Sequence, residues 1–137
     1  MTALVLDASA ALAWLLPSQT TTAANRLLAQ ADDYDFIAPD IFLWEVANVL
    51  MAKARGHSLV VEEAFGQLDD FEIAFDQPLT GDEVRELVEV AIAAGLSLFD
   101  AAYLSFAIER EAGLASRDGA LLDAAIAAGV DVFDLRD

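Results

Sequence analysis

The sequence predicts an α/β fold, in which a largely parallel central sheet is flanked by helices. Three observations predict it. Short apolar runs suited to buried strands alternate with alanine-rich helical stretches from end to end. The connections between them are short, and none reads as a linker. At 137 residues, the chain has about one domain's length and enough material for a core.

The elements follow in order. Ala3–Leu6 is an apolar run that stops at Asp7, as a buried strand ending on an acid would. Ala8–Leu16 is helical and closes at Pro17. Thr22–Ala31 reads as a helix with Ala23, Leu27 and Leu28 on its apolar face, before an acidic loop at Asp32, Asp33 and Asp35. Phe36–Ala38 is a second strand, ended by Pro39. Asp40 is placed to cap a helix over Ile41–Arg55, which Gly56 stops. Ser58 is placed to cap the next helix, which carries Phe65 and Leu68 inward. The alternation in Phe71–Phe75 predicts a third strand. Thr80 begins a helix through Ala94, with Gly95 as terminator. Ser97–Glu111 is helical and Gly113 closes it. Leu114–Ser116 is a short strand, Asp118–Ala128 a helix ended by Gly129, and Val130–Phe133 a last strand.

Composition removes several classes of function. Hydrophobic residues make up 57% of the chain and charged residues 23%, so wholesale disorder is excluded. The absence of cysteine excludes disulfides, thiolate metal sites and a cysteine nucleophile. No apolar run approaches the roughly 18–20 residues of a membrane span. The opening segment lacks the basic residues of a secretory leader and is interrupted by Asp7, so a cytoplasmic location with no membrane partner is expected. Acids outnumber Lys plus Arg by 24 to 7, a net charge of −17, and Lys53 is the one lysine. General attraction to nucleic acid is therefore absent, and a polyanionic substrate needs bound cations or a basic partner. A plain solubility role for so acidic a surface accounts for the charge equally well.

Four acids stand apart from this surface charge. Asp7 ends the first strand, and Asp118 follows the short strand Leu114–Ser116 by two residues. In open α/β sheets, ligands sit beyond the carboxyl ends of the strands. Glu45 lies in the otherwise apolar IFLWEVANVL, with Asn48 three residues on and on the same helix face. Asp100 is the lone acid of LSLFDAAYLSFAI. The aspartates have structural readings of their own: Asp7 and Asp118 as helix caps, Asp100 as a charge at a helix start. A structural reading suits Glu45 less well, because its neighbours are Trp44, Val46 and Ala47 and burial of its charge is costly. Two carboxylates ~5 Å apart repel by roughly 3 kcal/mol at an effective dielectric near 20. A cluster of them strains a small domain unless a cation intervenes. Oxygen donors without Cys or His favour Mg²⁺ or Mn²⁺ over Zn²⁺.

These segments resemble the PIN domain, and specifically VapC-type toxin ribonucleases of toxin–antitoxin pairs. LVLDASAALAWLL is similar to the family's opening strand and helix, with Asp7 and Ser9 in its DxS motif. LWEVANVL resembles the second motif through Glu45 and Asn48, LSLFDAAYLSFAIERE the third through Asp100, and LASRDGALLDAA the fourth through Asp118 and Ser116. Four motifs in the right order are spread over nearly the whole chain.

The resemblance implies a single PIN-like nuclease domain over residues 1–137, with a three-layer α/β/α fold. It implies Mg²⁺- or Mn²⁺-dependent hydrolysis of RNA phosphodiester bonds. Asp7, Glu45, Asp100 and Asp118 would form the acidic metal pocket, supported by Ser9, Ser116 and Asn48. The implied partners are RNA, a VapB-like antitoxin and a second copy in a homodimer.

Two departures are notable. Basic residues are scarcer than in such toxins, which leaves Arg117, beside Asp118, as the best-placed phosphate contact, although a surface or antitoxin-facing role suits it equally. Asp123 is an extra acid near the fourth motif and is read as solvent-facing, as is His57. Trp14, Trp44, Phe42, Phe65, Phe71, Phe99, Tyr103 and Phe106 are read as core or dimer surface. A haloacid-dehalogenase-type site needs an Asp where Ser9 stands, and a receiver domain needs a late lysine that is absent. A PIN-like binding module without activity is the non-enzymatic alternative.

Overall fold

In the computed structural model, which describes residues 2–137, five parallel strands form one sheet in the order β3-β2-β1-β4-β5. The strands are β1 (Thr2–Leu6), β2 (Tyr34–Ala38), β3 (Ala74–Phe75), β4 (Gly113–Ser116) and β5 (Val132–Asp134). Seven helices connect them: α1 (Ala8–Leu15), α2 (Thr22–Ala29), α3 (Ile41–Arg55), α4 (Val61–Asp70), α5 (Gly81–Ala94), α6 (Leu98–Glu109) and α7 (Gly119–Ala127). The result is a three-layer α/β/α architecture.

Strand composition explains the layering. Leu4, Val5 and Leu6 of β1 have no exposed surface, nor have Leu114, Ala115 and Ser116 of β4. Successive strand residues point to opposite faces, so a strand buried at every position has both faces covered. On one side α1 packs against α2, α3 and α4; elsewhere α6 packs against α5 and α7 and reaches β1 and β4. Five alanines of α1 and α6, Ala10, Ala11, Ala13, Ala101 and Ala107, are at most 1% exposed. Their small side chains let helix and sheet approach closely.

Chain direction decides where a ligand can sit. From β1 the sheet grows through β2 and β3 on one side and through β4 and β5 on the other. The reversal falls between β1 and β4, and a crevice opens at such a switch point beyond the strand ends. Asp7 and Asp118 are placed there by the two strands that flank it.

Several local expectations need correction. Asp40 occupies the N-cap position of α3 with helical backbone angles, and its side chain makes no capping bond. Ser58 does not cap α4, because its hydroxyl donates to the Lys53 carbonyl and the helix starts only at Val61. The strand expected over Phe71–Phe75 shrinks to Ala74–Phe75. α4 runs on to Asp70, Glu72 takes a positive φ of 54°, and Phe71 packs edge-on against Trp14 with ring centroids 5.0 Å apart. Tertiary packing of one aromatic thus overrides a local alternation.

Gly113 does not close α6. The helix ends at Glu109, Glu111 takes the positive φ, and Gly113 is already in β4. A Cβ on Gly113 would stand 3.2 Å from the Asp131 carbonyl and from Leu4, so the close approach of neighbouring strands requires glycine there. The expected caps at Thr80 and Gly95 do form: Thr80 and Glu83 make a reciprocal capping box and Gly95 sits at φ 67°.

Candidate active site

Asp7 is the centre of the arrangement. It is 4% exposed and follows the last residue of β1. Ser9 donates to its Oδ1 at 2.7 Å, and the Ala10 amide donates to the same oxygen at 2.9 Å as the cap of α1. The Ser116 hydroxyl donates to Oδ2. Both hydroxyls are themselves held by the turn after β4. The Arg117 amide donates to Ser9 Oγ and the Asp118 amide to Ser116 Oγ, each at 2.9 Å. Two serines therefore lock the end of β1 to the end of β4.

These donors are all neutral, and they do not offset the loss of water. Burial pushes Asp7 from 3.8 up to about 6 against the hydrogen bonds of Ser116, Ser9 and Ala10, with the charge of Glu45 adding to the rise. Asp100 is also raised, first by burial, then by contact with the Asp118 side chain and its charge, with Asp7 contributing further. Ser97 opposes that rise, and its hydroxyl accepts from the Asp100 amide at 3.1 Å as the cap of α6. Burial likewise raises half-buried Glu45, opposed by a hydrogen bond from Tyr103, whose own phenol is raised by burial and by Glu45. Asp118 caps α7, its Oδ1 accepting from the amides of Ala120 at 3.0 Å and Leu121 at 3.4 Å.

The four acids expected to share a site are thus linked: Asp7 to Glu45 and to Asp100, and Asp100 to Asp118. Among the described residues no Lys or Arg makes an ion pair with any of them. Among the described residues no group of three acids closes around a single point tightly enough to cage an ion alone. This donor set still fits a hard divalent cation. Its oxygens come without His or Cys, and Mg²⁺ is commonly held by only one or two carboxylates, with water and substrate phosphate filling the rest. An ion there would also offset the burial and the neighbouring charge that raise Asp7 and Asp100.

The remaining candidates divide. Ser9 and Ser116 lie inside the network. Asn48 is exposed and makes no hydrogen bond to the acids. The Arg117 side chain donates to Gln19 Oε1 at 3.0 Å, while its buried Nε has no partner. Asp123 and His57 are exposed, as expected.

Comparison with known proteins now decides the family. The PIN domain model matches residues 4–127. The chain belongs to the PIN domain family. Ribonuclease VapC3 of Pyrobaculum aerophilum is 31% identical over 107 residues, which are 76% of this chain and 80% of that protein. Among solved structures, PAE2754 from Pyrobaculum aerophilum is similar at TM-score 0.69 with 18% identity, over 96% of this chain and 90% of that one. VapBC2 from Rickettsia felis, bound to a DNA fragment from its promoter, is similar at TM-score 0.66 with 17% identity, over 98% and 100%. FitAcB from Neisseria gonorrhoeae is similar at 0.57, also with 17% identity, over 96% of each chain.

Within this PIN fold, two residues near the acids were not legible as site residues. Tyr103 reads as core in the sequence, and its ring is indeed 1% exposed, yet its hydroxyl donates to Glu45 Oε1 at 2.7 Å. The signal was its spacing, three residues after Asp100 and hence on the same face of α6. Gln19 carries no sequence signal, because its partnership with Arg117 spans 98 residues. Of the aromatics read as core or dimer surface, Phe42, Tyr103 and Phe106 are buried, while Trp44 is 76% and Phe99 49% exposed.

Proposed function

We propose that the chain, as one domain over residues 1–137, is a Mg²⁺- or Mn²⁺-dependent endoribonuclease and the toxin of a VapBC-type pair. The observation that carries the reading is Asp7. A buried carboxylate at the sheet's switch point, held by neutral donors and surrounded by further acids, requires a cation to be ionised without penalty. Similarity to Ribonuclease VapC3 supports RNA as the substrate, and similarity to VapBC2 supports an antitoxin partner.

Asp7, Asp100 and Asp118 hold the ion, with Glu45 beside them. When bound, the ion activates a water for attack on phosphorus and neutralises charge building on the scissile phosphate. The protein groups supply position. Asp7 is fixed by three donors and cannot swing away. Asp118 is tethered through Oδ1 to the first turn of α7. Asp100 is fixed by the backbone of α6 and lies against the Asp118 side chain. Arg117 contacts a substrate phosphate. Hydrolysis in this manner leaves 5′-phosphate and 3′-hydroxyl ends and needs no histidine.

Charge sets the partners. Arg85, Arg110 and Arg136 are bridged to Asp82, Asp76 and Asp134. That leaves few cations for a polyanion, so the divalent ion itself helps recruit RNA, and a basic antitoxin segment is favoured. Exposed Trp44 on α3 supports a homodimer. Among the described residues no single helix is long and apolar enough to cross a membrane.

The test is a metal-titrated RNA degradation assay. Cleavage that rises with Mg²⁺ or Mn²⁺ and vanishes in Asp7→Asn is the expected result. Magnesium-dependent cleavage at the wild-type rate in Asp7→Asn overturns the reading. RNA binding without cleavage at any metal concentration leaves the inactive binding module instead.

A further inference from the structure

We propose that Tyr103 is a positioning residue, which fixes the Glu45 carboxylate toward the ion site; the inference rests on the nuclease reading above. Glu45 has three side-chain torsions and is half exposed, so it is mobile unless tethered. Among the described residues, Tyr103 is the one hydrogen-bond donor to its carboxylate. That bond joins α3 to α6 across 58 residues of sequence. It occupies Oε1 and leaves Oε2 without a hydrogen-bond donor among the described residues.

Three features favour positioning over mere satisfaction of a buried phenol. The donor is neutral. A lysine or arginine at this place would hold Glu45 equally well but would neutralise it and compete with a cation, whereas a hydroxyl orients the carboxylate and leaves its charge. Asp7 is held by the same chemistry, through the hydroxyls of Ser9 and Ser116. Lastly, the phenol is rooted at the site. It is three residues from Asp100 on α6, and its oxygen lies against the backbone of Ala8, the residue after Asp7. One rigid ring, 1% exposed, therefore references Glu45 to the other acids.

The test compares wild type with Tyr103→Phe, which keeps the ring and removes only the hydroxyl. Mn²⁺ binding by calorimetry is the primary readout. Loss of a partner that orients a metal ligand commonly weakens metal affinity by about 10–100-fold, and a weakening of about 10-fold is expected here. The kcat at limiting Mn²⁺ falls in parallel, is restored by excess Mn²⁺, and the KM for RNA stays near the wild-type value.

The wild-type protein labelled with ¹³C at the tyrosine ζ-carbon gives a second readout that needs no mutant. The chain has two tyrosines, and Tyr34 opens β2 at the opposite end of the sheet. Mg²⁺ should move the Tyr103 resonance and leave that of Tyr34 in place. Unchanged Mn²⁺ affinity in folded Tyr103→Phe, or an unmoved Tyr103 resonance on saturation with Mg²⁺, overturns the proposal while the nuclease reading stands. A wild type that neither binds Mn²⁺ nor cuts RNA overturns both.

Discussion

Ser116, wholly buried at the end of β4, donates its hydroxyl to Asp7 and accepts the amide of Asp118. One atom therefore serves two of the acids. Ser116→Ala leaves a buried carboxylate short of a donor and a buried amide without its acceptor. Unsatisfied groups of this kind cost about 1–3 kcal/mol each. The expected outcome is a lower midpoint in urea with an unchanged slope. The pKa of Asp7 should rise further, because the hydrogen bond removed is one that lowers it.

Asp7 also predicts how stability follows pH in chelator. Its folded pKa, about 6, lies above the unfolded 3.8, so the folded state holds the proton more tightly. Its contribution is fully present below about pH 4 and is lost as pH rises through 6. The change is on the order of 2–3 kcal/mol at about 1.4 kcal/mol per pKa unit. Melting curves from pH 4 to 8 should show a decline in wild type that is smaller in Asp7→Asn, where the raised Asp100 and Glu45 still contribute. At pH 8 the variant should be at least as stable as wild type, since the amide still accepts from Ala10 and carries no charge.

Asp118→Asn separates folding from ion binding. Asparagine caps a helix about as well as aspartate, so α7 should keep its first turn. Without metal the variant should be stabilised at neutral pH, because Asp100 loses the charge beside it. Divalent metal should then do less. A ligand at 100 times its Kd stabilises a protein by about 2.7 kcal/mol, and most of that gain should vanish in the variant's thermal shift.

Arg117→Ala tests the phosphate contact. Loss of one phosphate contact should weaken RNA binding uniformly across sequences and reduce the salt dependence of log K by about 1. An unchanged slope in binding titrations would assign Arg117 to its bond with Gln19 alone.

Trp44→Glu addresses assembly. An indole 76% exposed on a helix is costly to leave in water and suits an interface. Sedimentation should show a dimer for wild type and a shift toward monomer in the variant, with the melting temperature of the monomer little changed.

The alternation of strands and helices, the parallel sheet and the isolation of four acids in apolar surroundings were all legible in the sequence. Each reflects a local rule: periodicity, caps, and the expense of burying a charge. Thr80 and Gly95 show how well such rules work where the chain interacts with itself over a few residues.

Tertiary structure decided the rest. Phe71 abandons a strand pattern and packs on Trp14, and Gly113 is a strand residue because it pairs with Leu4 of β1. The site was split in the same way. Asp7, Glu45, Asp100 and Asp118 declared themselves singly by their improbable neighbours. The lock between Ser9, Ser116 and the turn after β4, and the tether from Tyr103 to Glu45, join residues 58 to 109 positions apart. No local preference encodes a bond of that span; it exists only once the sheet has brought the ends of β1 and β4 side by side.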